Sequence, residues 1–408
     1  MDIEAALQWR GIDPLAWLLA PISIDNFIDE YWEQGPLIVR RTPGYYDDLL
    51  TFADVNAFMS RNDIRYPYLR LVKNGRELPL IDYADDFVYG SNIFPGLLDN
   101  DKVFQHYSQG ATLSFQIFQK CMDSLSRFCN ALEARFRFQT QVNIFVTPPR
   151  SKGFTAHYDD HSFFIFQISG SKHWKLYGNP VELPLQEFRI KTKTPDLGKP
   201  EQEITLNAGD MLYLPKGFYH EAHTTNDTSV HITLGIFPYT WIKVLERLVE
   251  ELKRDIDFRR SPPDYLRTGE LGAQLETQFQ SLLKKLDQSK VRHIFERLFV
   301  EAASKQIVDG NNRLRDLVAI DGLNNETQLE RRDILCRITR HDENVGLTFY
   351  DKTIKFPDVA RDSLEFILRS KTFAPREIPG QLDDASKLVV VRKLVKEGLL
   401  SLVDARID

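Results

Sequence analysis

Between residues 141 and 239 the chain breaks into short β-prone runs separated by turn residues, and this texture constrains the fold more than any other feature. The runs are Val142 to Val146, Phe163 to Ile168, Lys172 to Tyr177 and Met211 to Leu214. Between them lie Pro148-Pro149, Gly170, Gly178-Asn179-Pro180 and Pro215-Lys216-Gly217. Many short strands with Gly and Pro punctuation predict a double-sheet jelly roll or barrel rather than a doubly wound parallel sheet.

The flanks read differently. In residues 1–34, Asp13-Pro14 and Ser23-Ile24-Asp25-Asn26 are helix-start signals, the second ahead of Phe27, Ile28, Tyr31 and Trp32. Gly35-Pro36 then breaks into Leu37 to Val39, a short strand. From Thr112 to Phe136, apolar residues at Leu113, Ile117, Met122, Leu125, Phe128 and Leu132 predict one amphipathic helix. After Trp241 the periodicity is helical again, over Trp241–Ile256, Leu271–Leu286 and Val291–Lys305. The last segment mixes a strand at Gly346 to Phe349 with helices at Pro357–Leu368 and Ser386–Glu397, the latter ending at a C-cap glycine, Gly398. That order of elements resembles a winged helix.

A chain of 408 residues is longer than one ordinary domain needs. The expected fold class is α+β, in three parts: a jelly-roll domain with N-terminal helices over 1–240, a helical dimerisation region over 241–325, and a winged-helix domain over 326–408. Net charge is −6, so there is no general basic field and nucleic acid is disfavoured as a partner. The three cysteines, Cys121, Cys129 and Cys336, show no metal spacing and suit reduced thiols. No apolar run approaches the roughly 20 residues of a membrane span, and no basic leader precedes the first helix. A soluble, cytoplasmic protein is expected.

The chemistry concentrates at His157-Tyr158-Asp159. On an extended chain residues i and i+2 face the same way, so His157 and Asp159 converge on one point. A third ligand is expected from another strand. His220 follows Gly209-Asp210, an apolar strand and Pro215, a pattern that returns a ligand to the mouth of a jelly roll. Two imidazoles and a carboxylate on one face leave positions open for a co-substrate and O2, the facial triad of non-haem iron(II) oxygenases. His161 and His223 compete for the ligand role, and zinc for the metal; as rim groups or supports they fit better. His231 has the default reading of a core histidine. His173 is expected to pack locally beside Trp174, and His106, His293 and His341 have no local partner pattern.

Asn143 to Pro148, His157-Tyr158-Asp159-Asp160, Gly170 to Trp174, and Gly209-Asp210 with Leu214-Pro215 and His220 together resemble the Jumonji C ribosomal oxygenases of the cupin superfamily. The entry around Phe27, Tyr31-Trp32 and Gly35-Pro36 is similar too. The resemblance implies a 2-oxoglutarate- and Fe(II)-dependent hydroxylase of protein side chains, acting on ribosomal proteins, with O2 as second co-substrate, a homodimer, and a C-terminal winged helix. It implies His157, Asp159 and His220 as iron ligands, Lys172 as the cation facing the distal carboxylate of 2-oxoglutarate, Thr233 as a hydroxyl beside it, and Asn143 as a pocket residue. Phe145 and Gly235 stand where histidine-hydroxylating members carry tyrosine and a hydroxyl residue, which places arginine or another side chain ahead of histidine as target.

Two rivals use the same residues for oxygenation: tailoring of a peptide natural product or free amino acid, and N-methyl demethylation. A third, from another class, is a winged-helix regulator whose cupin only senses a ligand; tight, salt-sensitive duplex binding would favour it. A zinc cupin that stores or isomerises a small molecule is the fourth, decided by metal analysis.

Overall fold

Successive side chains of a strand point to opposite faces, and in this chain both faces of the central strands are covered, which is what makes two layers out of one stretch of sequence. The computed structural model describes residues 12–187, 196–261, 274–284, 288–341 and 344–403. Strands β1 (Leu37–Val39), β2 (Leu69–Lys73), β3 (Arg76–Glu77), β4 (Ala84–Tyr89), β5 (Asn92–Leu98), β6 (Thr112–Phe115) and β7 (Gln139–Thr147) precede the metal-ligand motif. Strands β8 (Ser162–Ser169), β9 (Ser171–Leu176), β10 (Gln202–Asn207), β11 (Met211–Leu214), β12 (His220–His223) and β13 (Ser229–Phe237) follow it.

They form a large antiparallel sheet in the order β1-β11-β8-β13-β7-β6-β2-β3 and a small one, β10-β9-β12; β4 and β5 make a separate hairpin. This is the double-sheet jelly roll expected. On β8, Phe164, Phe166 and Ile168 join a core shared with Leu15, Leu18, Phe27, Leu125 and Phe128 of the flanking helices. Phe163 and Ile165 turn the other way, onto Trp174, Leu176, Ile204 and Leu206 of the small sheet. Strands β7 and β13 give Val142, Ile144, Val146, Val230, Ile232, Leu234 and Ile236 to the helical side. Their alternate residues, Asn143, Phe145 and Thr147 with His231, Thr233 and Gly235, therefore face the small sheet. Each fully buried Phe of this kind stabilises the fold by about 1.5–3 kcal/mol.

The turn before β11 fixes the return path to His220. Gly209 has φ +94, and a Cβ there would lie 2.2 Å from Thr42 O, so only glycine fits. Asp210 is buried, and its carboxylate accepts from Asn207 N at 2.9 Å and Arg41 N at 3.2 Å, with Arg40 Nη1 at 2.5 Å. These contacts tie the turn to β1.

The N-terminal start signals are helix caps: Asp13 caps Pro14–Leu19 and Ser23 caps Ile24–Glu30; residues 1–11 lie outside the described residues. One expectation is corrected. Thr112–Phe136 is a strand, a 3-10 turn at Phe118–Lys120 and a helix at Asp123–Phe136. Ile117, with φ 52, breaks any continuous helix; Leu113 and Phe115 bury as strand residues. The helical pattern is an accident of spacing up to Met122 and a true helix face from Leu125 through Phe128 to Leu132.

Beyond the jelly roll, helices span Trp241–Leu252, Ile256–Arg259, Gln274–Leu283 and Gln288–Lys305. Of the expected helix at 271–286, only residues 274–284 fall within the described residues. Phe299, Ala302 and Ala303 of the longest helix pack with Ala134 and Leu335, which joins the jelly roll to the last part. That part has two three-stranded sheets: Leu329–Arg331 with Thr372–Phe373 and Leu400–Leu402, and Cys336–His341 with Asn344–Phe349 and Lys352–Pro357. With helices Arg361–Arg369 and Asp384–Glu397 they enclose a core of their own. Gly398 caps the latter helix with φ 89. No helix among the described residues is long and apolar enough to cross a membrane.

Candidate metal centre

His157 lies in an irregular extended segment that meets the start of β12 in a two-residue bridge. His157 N donates to His220 O at 3.1 Å, and His220 N donates to His157 O at 2.8 Å. The bridge brings the two imidazoles together, ring centroids 4.4 Å apart. Two residues along the same segment, Asp159 O accepts from Gly217 N at 2.9 Å, and Asp159 Oδ2 stands 3.8 Å from His220 Nε2. Ligand atoms of His157, Asp159 and His220 all lie within 4.8 Å of one another, and no other such group of three occurs among the described residues.

The second ring nitrogens are already held. His157 Nδ1 lies 2.8 Å from Thr155 O, and His220 Nδ1 3.0 Å from Phe218 O. A carbonyl only accepts, so each Nδ1 carries the proton and each Nε2 keeps its lone pair for the centre. His220 is 4% exposed, and its pKa is pushed down to about 4, chiefly by burial and then by neighbouring His157. It is neutral at pH 7, the form that binds a metal. The donor set fits a hard or borderline divalent ion with open positions.

Deeper in, on the face shared with His231 and Phe145, lies Lys172. Its side chain is buried and has no acidic partner among the described residues. Burial alone lowers its pKa to about 7. Its Nζ donates to Thr147 Oγ1 at 3.0 Å and sits 5.9 Å from the Trp174 ring centre. An unpaired buried cation is costly unless an anion meets it, so this pocket fits a ligand carboxylate. The hydroxyl against Lys172 is that of Thr147 at the end of β7. Thr233 is on the same inner face, half-buried, in register with Asn143. Asn143 Oδ1 accepts from Ile117 N and Gln141 Nε2, both at 3.1 Å, which leaves its amide nitrogen as the donor for a ligand.

Three residues here carry more than the sequence reading gave them. His231 is fully buried with Nδ1 unpartnered, stacks on Phe145 at 5.0 Å, and is held neutral by burial and then by Lys172. Trp174 bridges His220 and His231, with centroids 6.1 and 5.6 Å away, and its Nε1 is also unpartnered. Thr147, the last residue of β7, holds Lys172 Nζ through its hydroxyl. The signal was present: alternation on β13 puts His231 on the same face as Thr233. The competing histidines stand outside the centre. His161 stacks on Phe237 at 4.6 Å. His223 lies 5.0 Å from His173 on the small sheet, and His173 contacts Glu203 and Thr205.

Comparison with known proteins agrees with this geometry. Residues 115–244 match the JmjC domain family model. The chain is 32% identical to ribosomal oxygenase 1 of Gallus gallus over 264 residues, 62% of this chain and 42% of that protein. It is 28% identical over 311 residues to the bifunctional lysine-specific demethylase and histidyl-hydroxylase NO66 of Aedes aegypti, 73% of this chain and 47% of that one. The chain thus spans less than half the length of these relatives. Among solved structures, E. coli YcfD superposes with a TM-score of 0.57 at 16% identity, over 98% of this chain and 100% of that one. The YcfD ribosomal oxygenase complex with cobalt and 2-oxoglutarate gives a TM-score of 0.55 at 16% identity, over 94% and 99% of the two chains. At that identity the likeness is one of fold.

Proposed function

From a chain that carries a JmjC domain and is homologous to the ribosomal oxygenases, we propose a 2-oxoglutarate- and Fe(II)-dependent oxygenase that hydroxylates an amino-acid side chain of a protein, a ribosomal protein being the first candidate. The observation that carries this reading is the pairing of one convergent His-Asp-His centre with one buried, unpaired lysine on the same inner face. His157, Asp159 and His220 would hold the iron. Lys172, with Thr147, would meet the distal carboxylate of 2-oxoglutarate, and Thr233 and Asn143 line the same pocket.

Iron bound there with 2-oxoglutarate and O2 supplies oxidative decarboxylation and oxygen insertion into a C–H bond. The chain's own residues do the rest. Backbone carbonyls of Thr155 and Phe218 aim the two Nε2 lone pairs; Lys172 orients the dicarboxylate; Phe145, Phe163 and Trp174 keep the interior dry. Substituting His157 or Asp159 by Ala is expected to abolish succinate release. A product that gains one oxygen marks hydroxylation, whereas loss of a methyl group marks the demethylation named for the NO66 relatives.

Residues 1–240 then form the catalytic domain, 241–325 a dimerisation region and 326–408 a winged-helix domain that contacts protein. Support for the homodimer is the helix Trp241–Leu252, which buries none of its residues and leaves Trp241, Leu245 and Val249 more than half exposed at three-to-four spacing. Cys121, Cys129 and Cys336 form no disulfide among the described residues, which supports a reducing compartment, the cytoplasm.

A further inference from the structure

At the rim of the jelly roll, Gly235 of β13 is in register with Gln141 of β7 and Phe163 of β8. The space its side chain would fill is taken by an imidazole. A Cβ on Gly235 would lie 2.9 Å from both Cδ2 and Nε2 of His161, and 3.4 Å from Phe237 Cε2. The Nε2 edge of His161 therefore turns over the inner face of β13. Its ring is fixed by stacking on Phe237, centroids 4.6 Å apart at 26°, and by Asp160 Oδ1, 3.1 Å from Nδ1. A carboxylate accepts, so in the neutral ring the proton sits on Nδ1 and Nε2 keeps an acceptor lone pair. Asp160, His161 and Phe237 also line an open cleft of about 390 Å³ together with Ser162, Tyr239 and Glu301, within the size range of ligand sites.

Resting on the oxygenase reading above, the geometry points to His161 as the positioning residue for the substrate. Its Nε2 accepts a hydrogen bond from the N–H of a nitrogen-bearing side chain (guanidinium, amide or imidazole) on a peptide laid in this cleft. Gln141 supplies a second acceptor. Its amide nitrogen donates to Asn143 Oδ1 at 3.1 Å, which leaves its carbonyl oxygen for a ligand on the strand facing Gly235. An aliphatic side chain would strip water from these acceptors and give nothing back, so discrimination of about tenfold or more is expected. The glycine is what admits this arrangement, since any side chain at 235 meets the His161 ring.

The test uses the full chain with Fe(II), 2-oxoglutarate and peptide pools of randomised flanks, each with one fixed central residue: Arg, His, Gln, Leu or Val. Succinate and the oxygen gained at the centre are both measured. Pools centred on Arg, His or Gln should be hydroxylated at least tenfold more than those centred on Leu or Val, and the three arms identify the nitrogen group. His161→Phe keeps a ring on Phe237 but no acceptor; it should erase the preference and lower oxygen incorporated per succinate about tenfold. His161→Gln should restore part of the ratio. Gly235→Ala, which displaces the ring, should raise peptide KM far more than it lowers kcat, and it reads the same contact if His161→Phe misfolds. Equal hydroxylation of Leu or Val pools, or an unchanged ratio in His161→Phe, would overturn the proposal. Absence of any succinate from the wild-type chain would instead overturn the oxygenase reading and this inference with it.

Discussion

Replacing Lys172 by Met removes a buried cation while keeping most of its volume, and the consequences can be worked from the structure. Burial lowers the Lys172 pKa from its ordinary 10.5 to about 7. The unfolded chain therefore binds more protons than the folded one between those values, so stability rises with pH from about 7 to 10.5 and is lowest below pH 7. The 3.5-unit difference corresponds to about 5 kcal/mol, as an upper bound, at 1.36 kcal/mol per unit. A carboxylate placed against Nζ restores the ammonium. Binding of 2-oxoglutarate should then take up roughly half a proton at pH 7 and nearly one at pH 8, and its KM should rise about tenfold per unit above pH 7. Truncating one partner of such a buried pair costs about 2–5 kcal/mol, or roughly 30- to 5000-fold in 2-oxoglutarate KM. Lys172→Met should show that loss, lose the pH slope, and melt at a higher temperature than the wild type without co-substrate. Succinate release against pH and calorimetry in buffers of different ionisation enthalpy measure these quantities. A KM within threefold of wild type, or no proton uptake near pH 7–8, refutes the assignment of Lys172 to the distal carboxylate.

Alanine at His157, Asp159 or His220 should each lower bound iron and abolish succinate release while circular dichroism stays native; full metal occupancy in any of the three would remove that residue from the centre. Gly209→Ala, which combines a left-handed backbone with a Cβ 2.2 Å from Thr42 O, should cost at least about 2 kcal/mol in denaturant unfolding, and a shift below about 0.5 kcal/mol would contradict the turn geometry. Leu245→Glu with Val249→Glu should halve the mass seen by light scattering with little change in unfolding free energy, because both side chains are more than half exposed in the single chain; a wild-type mass of one chain would end the dimer proposal.

How much of this was legible beforehand depended on whether one residue's environment could be deduced from its neighbours in sequence. The motif His157-Tyr158-Asp159 was readable because the extended-chain period is two, and His220 because Gly209, Asp210 and Pro215 mark the turns that return the chain. The run Phe163 to Ile168 hid most of its geometry, since both faces are buried and Gln167 is its single polar residue. Alternation is visible on β7, where Gln141 and Asn143 interrupt Val142 and Ile144, and on β13, where His231 and Thr233 interrupt Val230, Ile232 and Leu234; the default reading of His231 as core packing overlooks that its neighbours face the other way. The helical reading of 112–136 held over Asp123–Phe136 and failed before it, because i, i+4 spacing at Leu113 and Ile117 says nothing about a left-handed residue at 117. Contacts made across the fold were out of reach in principle. That Lys172 meets Thr147, 25 positions away, and that His161 occupies the space beside Gly235, are consequences of two sheets facing each other. A missing side chain has no sequence signal for what fills its place, so the group that selects the substrate could be found only once the empty Cβ position had coordinates.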